Sequence, residues 1–196
     1  IEEELKKLGE YIRNENIEEI VYEEPEQQMR SASLEVLLKQ LDAVNDNVLY
    51  TFTDNFITIE SKNLPNHETG VFPNRGNPNT ITEQSEKYEI TRNPLVTEDV
   101  TDVKIAGVSL NGVFFEPGTA EFWNDDRSSG WNLEAIQDVR SLGLDFNNAH
   151  VQSDGSYHYH GVPTSVIEDL SMNDEDLTLV GFAVDGFPMY YSASGT

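Results

Sequence analysis

The stretch NNAHVQSDGSYHYHG, residues 147–161, holds three of the four histidines of a 196-residue chain. His158 and His160 are two apart. On a strand, side chains at i and i+2 leave the same face, so both imidazoles project together while Tyr157 and Tyr159 project the other way. Whether His150 joins them depends on the turn between the two strands. A two-residue loop, Asp154-Gly155, pairs residue 150 with 159 and sends His150 to the tyrosine face. A three-residue loop, Ser153-Asp154-Gly155, pairs 150 with 158 and brings all three imidazoles to one face. Three-residue hairpins want glycine in the third, left-handed position, and "SDG" supplies it. The dipeptide "DG" also satisfies the two-residue form. Two points favour the odd turn: His150 falls in register only that way, and histidine is scarce elsewhere.

Directly opposed Cβ atoms lie ~4.5–5.5 Å apart, close enough for two imidazoles to reach one ion at metal–nitrogen distances of about 2.0 Å. Three neutral imidazoles suit Zn²⁺ or Cu²⁺, and also Ni²⁺ or Fe²⁺. They suit Ca²⁺ and Mg²⁺ poorly, since these prefer oxygen. The competing reading is a solvent-facing strand whose histidines only hydrogen-bond. His67, alone in the loop "LPNHETG", is a candidate fourth ligand if that loop folds back over the sheet. Asp185, in "AVDGFPMY", is a candidate acceptor that fixes an imidazole tautomer, or else the Asp of a turn. Glu116 and Glu121, which flank "PGTA", are candidates for a general base beside such a metal, or else surface carboxylates. Ligating imidazoles must be neutral, so a site of ordinary histidines loses metal on acidification through and below pH ~6.5.

Composition narrows the classes. Twelve basic against 36 acidic side chains give a net charge of −24. Such a surface repels nucleic-acid phosphate and anionic lipid, and it concentrates cations. No apolar run approaches the ~18 residues of a membrane span. The absence of cysteine removes disulfides, zinc ribbons, thiol nucleophiles and Fe–S clusters. "MNDEDLT" lacks the spaced oxygens of an EF-hand, and "NDDRSSGWN" reads as an ion-pair and Asx-turn cluster. No serine sits in a strained elbow, so Ser-His-Asp hydrolysis gains no support.

Residues 1–46 read as an acidic helical extension. Leu34, Leu37, Leu38 and Leu41 have helical spacing, with Ser33 as cap and Pro25 as an interruption. From residue 47 the period changes to two. "VLYTF" and "FITIES" read as strands around an Asp54-Asn55 turn, and residues 63–81 read as loop. "VSLNGVFF" reads as a hairpin with a type I′ turn at Asn111-Gly112. A helix is expected from Asn132 through Leu133, Ile136 and Val139, leaving at Gly143, and a further turn after Thr164. "LTLVGFAV" and "FPMYYS" read as neighbouring strands joined through Asp185-Gly186. The expected fold class is mainly β or α+β: an antiparallel β-rich domain over 47–196, with one or two short helices and the N-terminal helical extension.

The words "LNGVFFEPGTAEFWNDDRSSGWNLEA", "LGLDFNNAHVQSDGSYHYHGVPT" and "VGFAVDGFPMYY" together resemble the YHYH domain family over residues 47–196. The loop "PNHETGVFPNRGNPNTI" resembles a family motif as well, which would set His67 beside the hairpin histidines. The resemblance implies a secreted or periplasmic protein of bacterial type, and it implies no particular reaction. Family members usually carry more chain after "DGFPMYY", so the resemblance implies either a short member or a missing C-terminal part. The leading expectation is a domain that binds one transition metal, Cu or Zn, through His150, His158, His160 and His67. One alternative is a metal-free extracellular module that offers Tyr157 and Tyr159 to a carbohydrate or protein partner. Another is a metal-dependent hydrolase or oxidase.

Overall fold

The computed structural model describes residues 34–35, 38–39, 45–97, 101–137, 141–170 and 177–192. Contacts divide the chain into Ile1–Val36 and Leu37–Thr196. In the first unit Leu34 and Glu35 are helical; in the second Leu38 and Lys39 are helical and Leu38 is fully buried. The remainder of the expected helical arm through residue 44 lies outside the described residues. No helix among the described residues is long and apolar enough to cross a membrane.

The second unit is β-rich, with two sheets. Strands β1 (Val48–Phe52), β2 (Phe56–Ser61) and β3 (Glu86–Thr91) form an antiparallel sheet in that order. Their alternation buries Val48, Tyr50, Ile57, Ile59 and Ile90 on one face. Strands β4 (Gly107–Ser109), β5 (Phe114–Phe115), β6 (Ala149–Val151), β7 (Tyr157–Tyr159), β8 (Leu177–Ala183) and β9 (Pro188–Ser192) form a second sheet, ordered β6-β7-β5-β4-β8-β9. All its pairs are antiparallel except β5 with β7, where Phe115 lies beside Tyr159. Two hydrogen bonds tie the sheets together at the β4–β5 turn. Tyr50 OH donates to the Leu110 carbonyl (2.7 Å), and Ser61 Oγ donates to the Gly112 carbonyl (2.8 Å).

Three hairpins of the second sheet share one turn design. In each, a glycine N–H closes a β-turn onto the residue three before it: Gly112 onto Ser109, Gly155 onto Gln152 and Gly186 onto Ala183. Each glycine has positive φ, at +84°, +92° and +101°. The loops are therefore three residues long: 110–112, 153–155 and 184–186. This corrects the type I′ expectation at Asn111-Gly112, since Asn111 is not among the positive-φ residues. Its side chain is used instead to receive the Val113 N–H (3.2 Å) and to reach Tyr159.

A second expectation fails at Asn132. Residues 131–137 are not helical, and Asn132 forms an isolated bridge with Phe122. Its amide, a helix cap in the sequence reading, is spent on the Thr119 carbonyl instead. Residues 138–140 of that expected helix lie outside the described residues. The helix after Thr164 is present, as Thr164–Leu170. In "NDDRSSGWN", Asp126 receives Ser128 N (2.8 Å) in an Asx-type turn, while the Arg127 guanidinium lies over the Phe122 ring.

The loop from Lys62 to Ser85 covers the hairpin β6–β7. Asn77 and Asn79 each donate to the Val151 carbonyl (2.8 Å), capping the outer edge of β6 that would otherwise be open. Asn63 donates to the Tyr157 carbonyl (2.8 Å), and Thr82 N donates to the carbonyl of Gly155 (2.9 Å). A Cβ on Gly155 would collide with Thr82 Oγ1 and would also sit on a left-handed backbone. Gly155→Ala is therefore expected to destabilise the fold by about 2 kcal/mol, measured by urea denaturation. A change below about 0.5 kcal/mol would show that neither constraint operates.

Candidate metal centre

The odd turn sets the register of β6 on β7: Ala149 opposite Tyr159, His150 opposite His158, and Val151 opposite Tyr157. Strand alternation then sorts the tetrad Tyr157-His158-Tyr159-His160 onto two faces. One face carries His150, His158 and His160. Their ring centroids are 4.7 Å apart in every pair. The Nε2 atom of His160 lies 2.9 Å from that of His158 and 3.0 Å from that of His150. His158 is fully buried and stacks on Phe114, whose ring is tilted by only 9° from it.

The outward nitrogens of the three rings face backbone carbonyls. His150 Nδ1 lies 2.8 Å from the oxygen of Leu142, His158 Nδ1 3.5 Å from that of Ser156, and His160 Nδ1 3.5 Å from that of Pro117. A carbonyl oxygen can only accept, so the 2.8 Å contact favours the proton of His150 on Nδ1, and the longer contacts allow the same tautomer in His158 and His160. In that tautomer three Nε2 lone pairs point at one another. Neutral lone pairs at such separations repel; a shared cation removes the conflict. The three nitrogens lie within 4.8 Å of one another and could hold a metal ion.

The opposite face is closed. Tyr157 and Tyr159 are completely buried, in a cluster with Val113, Phe115, Ala149, Val151 and Val166. Tyr157 OH donates to Asp145 Oδ2 (2.7 Å). The same carboxylate receives the N–H groups of Gly70 (3.0 Å) and Asn147 (2.9 Å), which pins the covering loop to the start of the hairpin. Tyr159 OH donates to His67 Nε2 (2.6 Å) and accepts from Asn111 Nδ2 (2.9 Å). Burial pushes both phenols upward, so they remain protonated donors. A binding module that presents these two tyrosines to a carbohydrate or protein is not what the hairpin builds, because neither ring reaches solvent.

Two of the sequence-stated site residues are placed elsewhere. His67 lies against the tyrosine face, with Nδ1 on the Glu68 carbonyl (2.8 Å), and is not in the three-nitrogen group. The loop does fold back over the sheet, but onto the wrong side for ligation. Asp185 is exposed in the β8–β9 turn and receives Phe187 N (3.4 Å); carbonyls, not this carboxylate, face the imidazoles. Conversely, Asp145 escaped the sequence reading. Its one local signal is an Asp two residues before an Asn at the mouth of a hairpin, the pattern of an Asx-turn.

A cleft of about 390 Å³ opens in front of the imidazoles, lined also by Lys104, Glu116, Glu121 and Gln152. Glu116 is buried, although the residue type favours the surface. Its carboxylate receives Gln152 Nε2 (3.2 Å) and pairs with Lys104 Nζ (3.5 Å).

Burial lowers His158 to about 3, with repulsion from His150 and His160 adding to it. Burial and then His150 lower His160 to about 4. This corrects the expectation of titration near pH 6.5, since these two rings stay neutral well below it. The sign for stability follows from the unfolded chain, where both take up protons near pH ~6.5. Above that pH the two rings contribute no pH dependence. As the pH falls from ~6.5 through the folded values, protons favour the unfolded state and stability is lost. The urea midpoint of metal-free protein should therefore fall more steeply between pH 6.5 and 4 than that of a His158→Asn/His160→Asn double variant. Parallel slopes would contradict the buried neutral state.

No curated protein and no solved structure matches the chain. A family model described as "YHYH protein" matches residues 87–196, which takes in β3 after its first residue, all of β4 to β9 and both histidine strands. The match starts later than residue 47, so the loop that carries His67 falls outside it. With more than half its length matched, and with the name-giving tetrad at residues 157–160 built into a two-faced strand, the chain belongs to the YHYH family.

Proposed function

We infer that this domain binds one transition-metal ion, copper or zinc, through Nε2 of His150, His158 and His160. The carrying observation is the convergence of three ring nitrogens, with the opposite nitrogen of each ring turned toward a backbone carbonyl. His160 Nε2 is 2.9 Å from that of His158 and 3.0 Å from that of His150, and each such pair can sit ~2.0–2.1 Å from a common centre, the usual metal–imidazole distance. An all-imidazole donor set favours zinc and copper over calcium and magnesium. The carbonyls of Leu142, Ser156 and Pro117 would fix ring orientation, as the partners of ligating histidines commonly do. Three protein ligands leave a position facing the cleft, the arrangement of sites that exchange or activate a ligand rather than of purely structural ones. His67 and Asp185 have no part in it.

The setting of the domain is a further part of this reading. On the family resemblance we take it to act outside the cytoplasm, where a net charge of −24 would draw cations toward the surface.

Protein purified without a His-tag, dialysed against Cu²⁺ or Zn²⁺ and freed of excess ion, is expected to carry about one ion per chain by elemental analysis. His158→Ala should lower metal affinity by at least about a hundredfold, which is on the order of 3 kcal/mol. Tyr159→Phe and His67→Ala should keep the stoichiometry. Full metal content in His158→Ala would overturn the assignment.

A further inference from the structure

The chain has two tryptophans, and the fold leaves both in solvent: Trp123 is 52 % exposed and Trp131 74 %. Single exposed apolar residues are ordinary, but tryptophan is among the side chains with most to gain from burial. The two are also neighbours. Phe122 and Asn132 bridge the ends of a loop, and inside that bridge the Trp123 N–H donates to the Trp131 carbonyl (2.9 Å). The loop between them is held by its own bonds. Asp126 receives Ser128 N (2.8 Å) and Ser128 Oγ (2.7 Å), the Ser129 N–H donates to the Asp126 carbonyl (3.1 Å), and Ser129 Oγ receives the Trp131 N–H (3.1 Å). Asn124, Asp125 and Gly130 turn it with left-handed backbone conformations. It stands clear of the domain, since a Cβ on Gly118 or Gly130 would meet nothing within 4 Å beyond its chain neighbours. An ordered loop that offers two indoles to solvent loses little freedom when something binds, which is the property of a preformed contact surface.

The charges around the rings select the partner. Over residues 119–134 the carboxylates of Glu121, Asp125, Asp126 and Glu134 stand against a single basic residue, Arg127. Asp125, Asp126 and Glu134 are exposed. Indole is the ring that attracts cations most strongly, and neighbouring carboxylates add to that attraction. The loop already contains one such contact, because the Arg127 guanidinium lies 5.4 Å from the centre of the Phe122 ring. A small free cation needs rings on several sides, and a projecting loop encloses nothing. A guanidinium carried by another protein needs only a flat face on which to stack. Tryptophan and arginine are also residues in which protein interfaces concentrate their binding energy. We propose that Trp123 and Trp131 form a docking surface for a protein segment that presents arginines. Thr119, Ala120 and Glu121, at the base of the loop, line the cleft in front of the imidazoles, so a partner seated on the loop is held beside that cleft. The docking itself does not depend on an ion.

The test uses the whole metal-free chain at about 0.15 M salt, where distant charges are screened, and a short blocked peptide of alternating glycine and arginine. Both tryptophans of the chain lie in the surface, so their emission reports on it directly. The peptide is expected to change that emission saturably. A peptide with citrulline in place of arginine, similar in shape but uncharged, should bind at least about tenfold more weakly. Calorimetry should show a similar loss for Trp123→Ala/Trp131→Ala, whose urea midpoint is expected to stay with that of wild type because both rings are exposed. Unchanged affinity in the double variant would overturn the proposal and reduce the binding to the net charge of −24. Equal affinity for the citrulline peptide would overturn it as well, whether or not the variant folds. Emission that ignores the arginine peptide and moves with a neutral β-glucan oligosaccharide would overturn it too, and would give the rings to a sugar polymer.

Discussion

The alternation of side chains along β7 is the constraint on which the site depends. Because the strand has a period of two, a Tyr-His-Tyr-His tetrad cannot present all four rings to one environment. It must divide them, and the fold gives each face a different task. The tyrosine face is sealed by the loop from Lys62 to Ser85 and ends in satisfied hydroxyls on Asp145, His67 and Asn111. The histidine face meets His150 across the hairpin and opens on a cleft. Two buried aromatic rings, each removing on the order of 150–250 Å² from water, hold the strand rigidly enough for the other face to keep its nitrogens converged.

With each proton on Nδ1, the converged nitrogens repel one another when no ion lies between them. Burial disfavours protonation of His158 and His160, and the carbonyls behind the rings direct the lone pairs inward. A core that only needed filling would place apolar side chains here, since buried polar atoms demand partners. The arrangement instead resembles a preorganised donor set, in which the repulsion present without metal is relieved on loading.

Local chemistry made part of this legible in the sequence. Strand periodicity and the glycine of "SDG" allowed His150 to lie opposite His158, and the scarcity of histidine elsewhere decided for that register. The two-residue type I′ reading at Asn111-Gly112 failed because such a dipeptide fits two-residue and three-residue loops alike, and only a pairing argument such as the histidines supplied can separate them. His67 shows a different limit. The path of its loop is set by contacts between residues far apart in the chain, such as Asn63 with Tyr157 and Asn77 with Val151, which no local pattern encodes. The helix expected from Asn132 was lost to a long-range competitor as well, the bridge to Phe122 and the Thr119 carbonyl. Glu116 was visible as a candidate beside a metal. Its burial was not, because that follows from the one parallel pairing in the sheet, β5 on β7.

The central claim is that three imidazole nitrogens from the hairpin share one ion. X-ray absorption fine structure at the metal edge of the loaded protein addresses it directly. The account predicts a nearest shell with three imidazole nitrogens at about 2.0 Å, recognisable by the outer-ring scattering of each histidine. A shell of oxygen alone, or one containing fewer than three imidazoles, would contradict it.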